Sequence, residues 1–233
     1  MTVLPSRIPP ALGVILPSSN RVVERVTRAM LDARPGWDAC FARVPYAGHP
    51  ADGYDLEPFR QAAALLAQAR PDIILWNATR GALLGFEPDR QLCTLVERET
   101  GIACITTALA TVELLRRRSL RRIGLLSQGD HAEATHLKLV FAREGIEIAG
   151  GQCLDITDNF QAADVSAEDI ARRCSAIAGQ SGLDAVLIWS TNLNGHGIAD
   201  QLSESLGLPV LDSTTLGTRH ALACIERAGA PVV

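Results

Sequence analysis

The stretch Gly13-Val14-Ile15-Leu16-Pro17-Ser18-Ser19-Asn20 carries the first decision about the fold. Its apolar half is short, with Val and Ile at its centre, which suits a buried strand. The run stops at Pro17 and passes into a small polar cluster. Beyond it Val22, Val23, Val26, Ala29 and Met30 fall on one helical stripe, and Asn20 stands where that helix needs a cap. The same order of features recurs along the chain. Strands are expected at 12–16, 39–44, 73–76, 103–105, 123–126, 147–153, 185–189 and 209–211. Helices are expected at 21–33, 58–70, 88–100, 108–118, 131–144, 166–179, 196–206 and 214–228. Ser166 with Asp169 reads as a capping box, with Asp in place of the usual Glu.

Alternating strands and helices imply parallel sheets with helices on both faces. Eight strands fit one barrel, one wide sheet or two sheets of four. The first four strand–helix units and the next four share one grammar, which favours two similar α/β lobes. No glycine–serine linker separates them, so close packing is expected. In both halves strands run into polar clusters: Pro17 to Asn20, Asn77-Ala78-Thr79-Arg80, Thr106-Thr107, Ser127-Gln128-Gly129-Asp130, Asp155 to Asn159, Ser190-Thr191-Asn192 and Asp212-Ser213-Thr214. Parallel sheets bind ligands beyond the carboxyl ends of their strands, where helix N-termini offer free N–H groups to an oxyanion. Each cluster can equally be a set of helix caps.

The 233 residues suit one α/β unit or two lobes, and 47% hydrophobic with 21% charged residues marks a globular chain. A net charge of −4 argues against a nucleic-acid surface. Arg116, Arg117 and Arg118, with Arg121 and Arg122, read as a helix end followed by a strand start. Lys138 is the only lysine and sits mid-helix, which disfavours Schiff-base or pyridoxal chemistry. No apolar run is long enough for a membrane span, and the first residues do not read as a signal peptide. A cytoplasmic protein is therefore expected. Cys40, Cys93, Cys104, Cys153, Cys174 and Cys224 form no CxxC pair and read as reduced thiols, mostly buried. The histidines at 49, 131, 136, 196 and 220 lack metal-ligand spacing, so no metal is expected.

The familiar motifs are missing. Neither GxGxxG, a P-loop nor a GxSxG elbow occurs. Ser190 has no placed histidine and acid beside it, and His196 is the nearest candidate.

The loops at 13–20, 77–81, 101–107, 155–159 and Trp189 to Leu193 are together similar to the aspartate/glutamate racemase superfamily. The branch they resemble holds maleate cis–trans isomerase and arylmalonate decarboxylase, over residues from about 11 to 228. The resemblance implies two four-stranded parallel lobes related by a pseudo-twofold, cofactor-free, with a small carboxylate between them. It implies a first lobe of residues 1–107 plus 208–233 and a second of 108–207, the last strand and helix returning to the first. It also implies a homo-oligomer, a dimer or higher. Two cysteines that move a proton are implied, and their positions hold Ala78 and Ser190. A tyrosine position of the isomerases holds Gly129. The binding set implied is Pro17, Ser18, Ser19, Asn20, Asn77, Thr79, Arg80, Ser127, Gln128, Gly129, Asn159, Thr191 and Asn192, with Cys104 structural.

A hydroxyl is far less acidic than a thiol, so this chain is expected to lack two-thiol racemisation or isomerisation. Three readings follow. The first is a superfamily enzyme on a small carboxylate, decarboxylation surviving cysteine loss best because it needs an apolar pocket and oxyanion donors. The second is a non-catalytic dicarboxylate binder. The third is a hydrolase or lyase using Asp130, His131 or His196. Arg80 is either a bidentate carboxylate clamp or a surface group.

Overall fold

The computed structural model describes residues 8–45 and 53–229; His49 lies outside them. Eight strands form two parallel four-stranded sheets. The first sheet has the order β2-β1-β3-β4, from β1 (Ala11–Pro17), β2 (Asp38–Val44), β3 (Ile73–Trp76) and β4 (Cys104–Thr106). The second has the order β6-β5-β7-β8, from β5 (Arg122–Ser127), β6 (Glu147–Cys153), β7 (Ala185–Trp189) and β8 (Val210–Asp212). The helices are α1 (Val23–Leu31), α2 (Leu56–Gln68), α3 (Glu87–Thr100), α4 (Thr107–Arg117), α5 (His131–Arg143), α6 (Ala167–Ala178), α7 (Ala199–Leu206) and α8 (Ser213–Gly229).

The central strands β1, β3 and β7 are buried along their whole length, which is why they read as unbroken apolar runs. Edge strands β2 and β6 are mostly half-buried, and they carry Cys40 and Cys153. This corrects the expected burial of the cysteines. Cys104 and Cys174 are buried, while the other four thiols are half-buried because they sit at edges and on helix flanks. All six are free. Helix ends follow local chemistry. Asp55 accepts from Glu57 N at 3.2 Å, so α2 begins before residue 58, and Gly101 ends α3 in the left-handed region. Ser166 caps α6 through Asp169 N at 3.1 Å, but the Asp169 carboxylate turns to Arg172 and Arg173 instead of closing the box. The segment after Gly195 is not yet helical, so α7 starts at Ala199. Two 3₁₀ turns, Arg80–Leu84 and Gln161–Asp164, were not legible as helices.

Each sheet is covered on both faces, but not only by its own helices. One face of the first sheet packs Ile15, Ile74 and Trp76 against Phe59, Leu66, Leu92 and Val96 of α2 and α3. Its other face packs Leu12, Val14 and Leu75 against Val23 of α1 and Ala221, Leu222 and Ile225 of α8. The second sheet has α6 and α7 on one side. Its other side packs Ile123, Leu125, Leu187 and Trp189 against α5 and against Ala108, Val112 and Leu115 of α4. So α4 leaves the first sheet to cover the second, and α8 leaves the second to cover the first. Strand β8 itself pairs with β7, Val186 opposite Val210. That corrects the expected return of the last strand to the first lobe: the helix crosses over, while three residues of strand stay with the sheet whose edge they meet.

Phe86 adds an aromatic link between lobes, edge-to-face on Phe141 at 5.4 Å, with Phe141 on Trp189 at 5.1 Å. Where α4 and α8 meet, Gly217 leaves space for Thr107: a Cβ there would lie 1.9 Å from Thr107 Oγ1 and 3.2 Å from its Cα. Gly217→Ala should therefore destabilise the chain by about 1–3 kcal/mol as the helices move apart. Urea denaturation checks it, and an unchanged midpoint would mean that the contact is soft.

Candidate functional site between the lobes

The two sets of strand ends meet at a polar contact built mainly from neutral side chains. Asn20 is buried at the close of the β1 loop. Its Oδ1 accepts from Val22 N and Val23 N, both at 2.9 Å, as the expected cap does. Its Nδ2 reaches the other lobe, donating to Thr191 O at 3.1 Å and Thr191 Oγ1 at 3.3 Å. Arg43 supports the loop from beneath, giving Nη1 to Asn20 O at 2.9 Å and Ser18 O at 3.0 Å. Asn192 Oδ1 accepts from Arg21 N at 2.8 Å, and its Nδ2 donates to Asn159 O. Asn159 Nδ2 donates to Ser19 Oγ at 2.8 Å. Thr191 Oγ1 lies 3.3 Å from Asn77 O. Thus Ser19, Asn20, Asn77, Asn159, Thr191 and Asn192 converge in one network across the lobes.

The predicted residues do not all share one role. Asn77 is a pin: its Oδ1 accepts from Thr107 Oγ1 at 2.8 Å and its Nδ2 donates to Thr218 Oγ1 at 3.2 Å, tying β3 to α4 and α8. Pro17 O accepts from Asn20 N at 3.0 Å to shape the turn, and Ser18 is exposed. Thr79 is buried and opens the 3₁₀ turn, its carbonyl accepting from Ala82 N at 3.1 Å. Ala78 is buried and packs within the apolar cluster of Trp76 and Leu92.

Ser190 is buried on the facing loop. It donates to Gln128 Oε1 at 2.7 Å and accepts from Asn192 N at 3.1 Å. An amide oxygen is no base, so nothing in this pairing ionises the hydroxyl. Gln128 Nε2 has no partner and is buried, an arrangement that costs about 1–3 kcal/mol unless something accepts from it. The neighbouring Ser127 Oγ is also buried without a partner, but it does not enter the interlobe network.

Arg80 is neither a bare surface group nor an open clamp. It makes a two-pronged ion pair with Glu133 of α5, with Nη1 2.9 Å from Oε2, and both side chains are largely buried. A Cβ at Gly129 would lie 1.5 Å from Glu133 Oε2, so the strut fills the room a larger residue there would need. Sequence reasoning missed Glu133. Gly129 next to a helix start was the one available signal.

His196 makes no hydrogen bond to Ser190. Its Nδ1 is 3.0 Å from Thr215 Oγ1, and that hydroxyl donates to Asp212 Oδ1 at 2.6 Å. Asp130 caps α5 by accepting from Glu133 N at 2.8 Å. These contacts give Asp130 and His196 of the third reading structural roles. Burial pushes the Cys174 thiol up to about 12, and the Cys93 thiol beside it, with burial, pushes Cys104 well up, so neither is a ready thiolate. Among the described residues no group of three or more His, Cys, Asp or Glu is arranged to hold a metal ion.

The fold and this contact define a class, the two-lobed parallel α/β proteins whose strand-end loops meet between the lobes. Residues 52–231 match the arylmalonate decarboxylase family, and the chain belongs to it. A maleate isomerase of Nocardia farcinica (strain IFM 10152) is 24% identical over 226 residues, 92% of this chain and 90% of that protein. Among solved structures the fold of the chain is similar to that of the Nocardia farcinica maleate cis–trans isomerase, a cysteine-to-serine mutant with a covalently bound succinylcysteine intermediate. That structure superposes with a TM-score of 0.81 at 21% identity, covering 93% of each chain. An arylmalonate decarboxylase structure gives 0.78 at 21% identity, covering 95% of this chain and 94% of the other.

Burial pushes the Asp212 carboxyl up to about 6, against hydrogen bonds from Thr215 that favour the anion. Unfolded, the group titrates near the usual value of about 4. The native state therefore holds a proton that the unfolded chain releases between about pH 4 and 6. This contribution to stability is complete below that window and is lost as pH rises through it. Asp212→Asn cannot lose it, so the variant should gain on the native chain by about 2–3 kcal/mol between pH 4 and 7. Guanidinium melts at several pH values check this, and a constant difference would refute it.

Proposed function

We propose that this chain binds a small dicarboxylate, such as maleate or a malonate, between its two lobes, and that it does not carry out two-thiol proton transfer. The observation that carries the reading is Gln128 Nε2, a buried amide donor with no partner beside Ser190 and the Asn20–Thr191–Asn192 network. Such a donor suits a carboxylate oxygen, and the hydroxyls and amides around it are neutral donors of the same kind. Maleate isomerase and arylmalonate decarboxylase relatives support the class of ligand. On this reading Ala78 and Ser190 occupy the two positions of the proton-moving thiols. Ala78 has no titratable group, and Ser190 faces an amide oxygen instead of a base. No cofactor enters the scheme.

The second reading is decarboxylation of a substituted malonate. It is favoured by Ala78, which directly follows Asn77 of the interlobe network and packs with Trp76 and Leu92. An apolar wall there disfavours a charged carboxylate and favours its loss as carbon dioxide. The electrons of the broken C–C bond then pass to the remaining carboxylate as an enediolate. On this reading Thr79, Ser190, Thr191 and Gln128 would supply the donors to its oxygens, Ser190 and Thr191 by giving up their present acceptors. The α-carbon is finally protonated from water, since no acid stands beside Ser190 in its hydrogen bonds.

The test has two arms. Thermal unfolding with maleate and with malonates should show stabilisation, about 2.7 kcal/mol at a ligand concentration a hundredfold above Kd. Failure of every small dicarboxylate to stabilise would end the reading. The native chain should leave maleate unisomerised, whereas Ala78→Cys with Ser190→Cys should restore deuterium exchange or isomerisation. Carbon dioxide release from a substituted malonate by the native chain would establish the second reading.

A further inference from the structure

A cavity of about 290 Å³ lies on the second lobe between α5 and the β6 edge, and none of Asn20, Asn77, Thr191 or Asn192 lines it. That volume is near the lower limit for small-molecule sites. Its floor is Leu125 and Ile148, and its charged and titratable rim is Lys138, Arg173, His131 and Cys153. No carboxylate lines it, although the chain as a whole has a net charge of −4. Lys138, the only lysine, makes no ion pair among the described residues and lies on the α5 stripe of His131 and Thr135. Arg173 reaches round the sheet edge from α6. Its Nε meets Asp169 Oδ2 at 2.8 Å and its Nη1 meets Gln152 Oε1 at 3.3 Å, which leaves Nη2 for another acceptor.

The independent sign is Ser127. Ser127 is one of the residues lining this cavity, it is 2% exposed, and its buried Oγ has no hydrogen-bond partner. A buried hydroxyl is rarely left unmatched, and a group that accepts from it would relieve the loss. We propose that this cavity is a second binding site, for a small dianionic oxyanion, with Ser127 Oγ and Arg173 donating and Lys138 supplying charge at the mouth. The shared chemistry is two negative charges on oxygen, carried either by an organic phosphate or by a dicarboxylate. The apolar floor takes the carbon portion. Ser127 directly precedes Gln128, so an anion here sits one residue behind the interlobe donor while sharing none of the network that defines the cleft.

The experiment is an NMR titration of isotope-labelled protein with inorganic phosphate and, separately, with malonate, with chloride controls at matched ionic strength. The expected result is saturable movement of the Ser127, His131 and Cys153 amides, with Kd at least tenfold weaker in Lys138→Ala and in Arg173→Gln. Tighter phosphate than malonate assigns the organic phosphate, and the reverse assigns the dicarboxylate. Ser127→Ala, which removes only the hydroxyl, should weaken binding without changing the rest of the spectrum. Movement without saturation, an unchanged Kd in both cation variants, or shifts confined to the loops at Asn20 and Asn192 would overturn the proposal. That last result would still leave the interlobe reading standing, so the two are judged separately.

Discussion

The exchange of α4 and α8 between the sheets is the constraint on which the rest of the molecule depends. Each sheet has one face closed by a helix that enters from the other lobe's strand. Burial of Val112 and Leu115 on one side, and of Leu222 and Ile225 on the other, therefore fixes the position of the two sheets relative to each other. Apolar burial has no direction of its own. Direction comes from polar pins at the crossing, above all Asn77, whose amide engages Thr107 of α4 and Thr218 of α8. The close approach permitted by Gly217 brings those pins within reach.

With the lobes set in this way, the loops after β1, β3, β5 and β7 have little freedom. Asn20 and Asn192 each bond to both lobes, so the contact is held by directional bonds whose donors and acceptors are nearly all matched. The unmatched groups then stand out. Gln128 Nε2 adjoins this contact, and Ser127 Oγ lies beside a separate cavity. A satisfied polar network rigidifies a site, and an unsatisfied member marks where a ligand gains most.

Charge is handled differently at the two places. At the interlobe contact the nearby cations Arg80 and Arg43 already have carboxylates, in Glu133 and Glu24, and Gly129 provides the space for the first of these pairs. Specificity there rests on neutral donors. In the cavity by α5 Arg173 has a carboxylate in Asp169, whereas Lys138 makes no ion pair among the described residues. Buried acids away from both places, such as Asp89 and Asp212, are held toward their neutral forms by desolvation, each with a pKa of about 6.

Strand and helix order was legible along the whole described chain, because the apolar runs at Leu12 to Leu16, Ile73 to Trp76 and Ala185 to Trp189 are local patterns bounded by turn residues. The caps at Asn20 and Ser166 were legible for the same reason. The convergence of Asn20 with Thr191 could not be read from spacing, since the partners are 171 residues apart, and only the family resemblance brought them together. Pairing of β8 with β7, the Arg80–Glu133 strut and the unmatched hydroxyl of Ser127 were decided by tertiary structure alone. The chain's local pattern determined which segments must be buried and which must turn. Where the buried faces met, and hence which polar groups found partners, depended on contacts between distant segments that no local periodicity encodes.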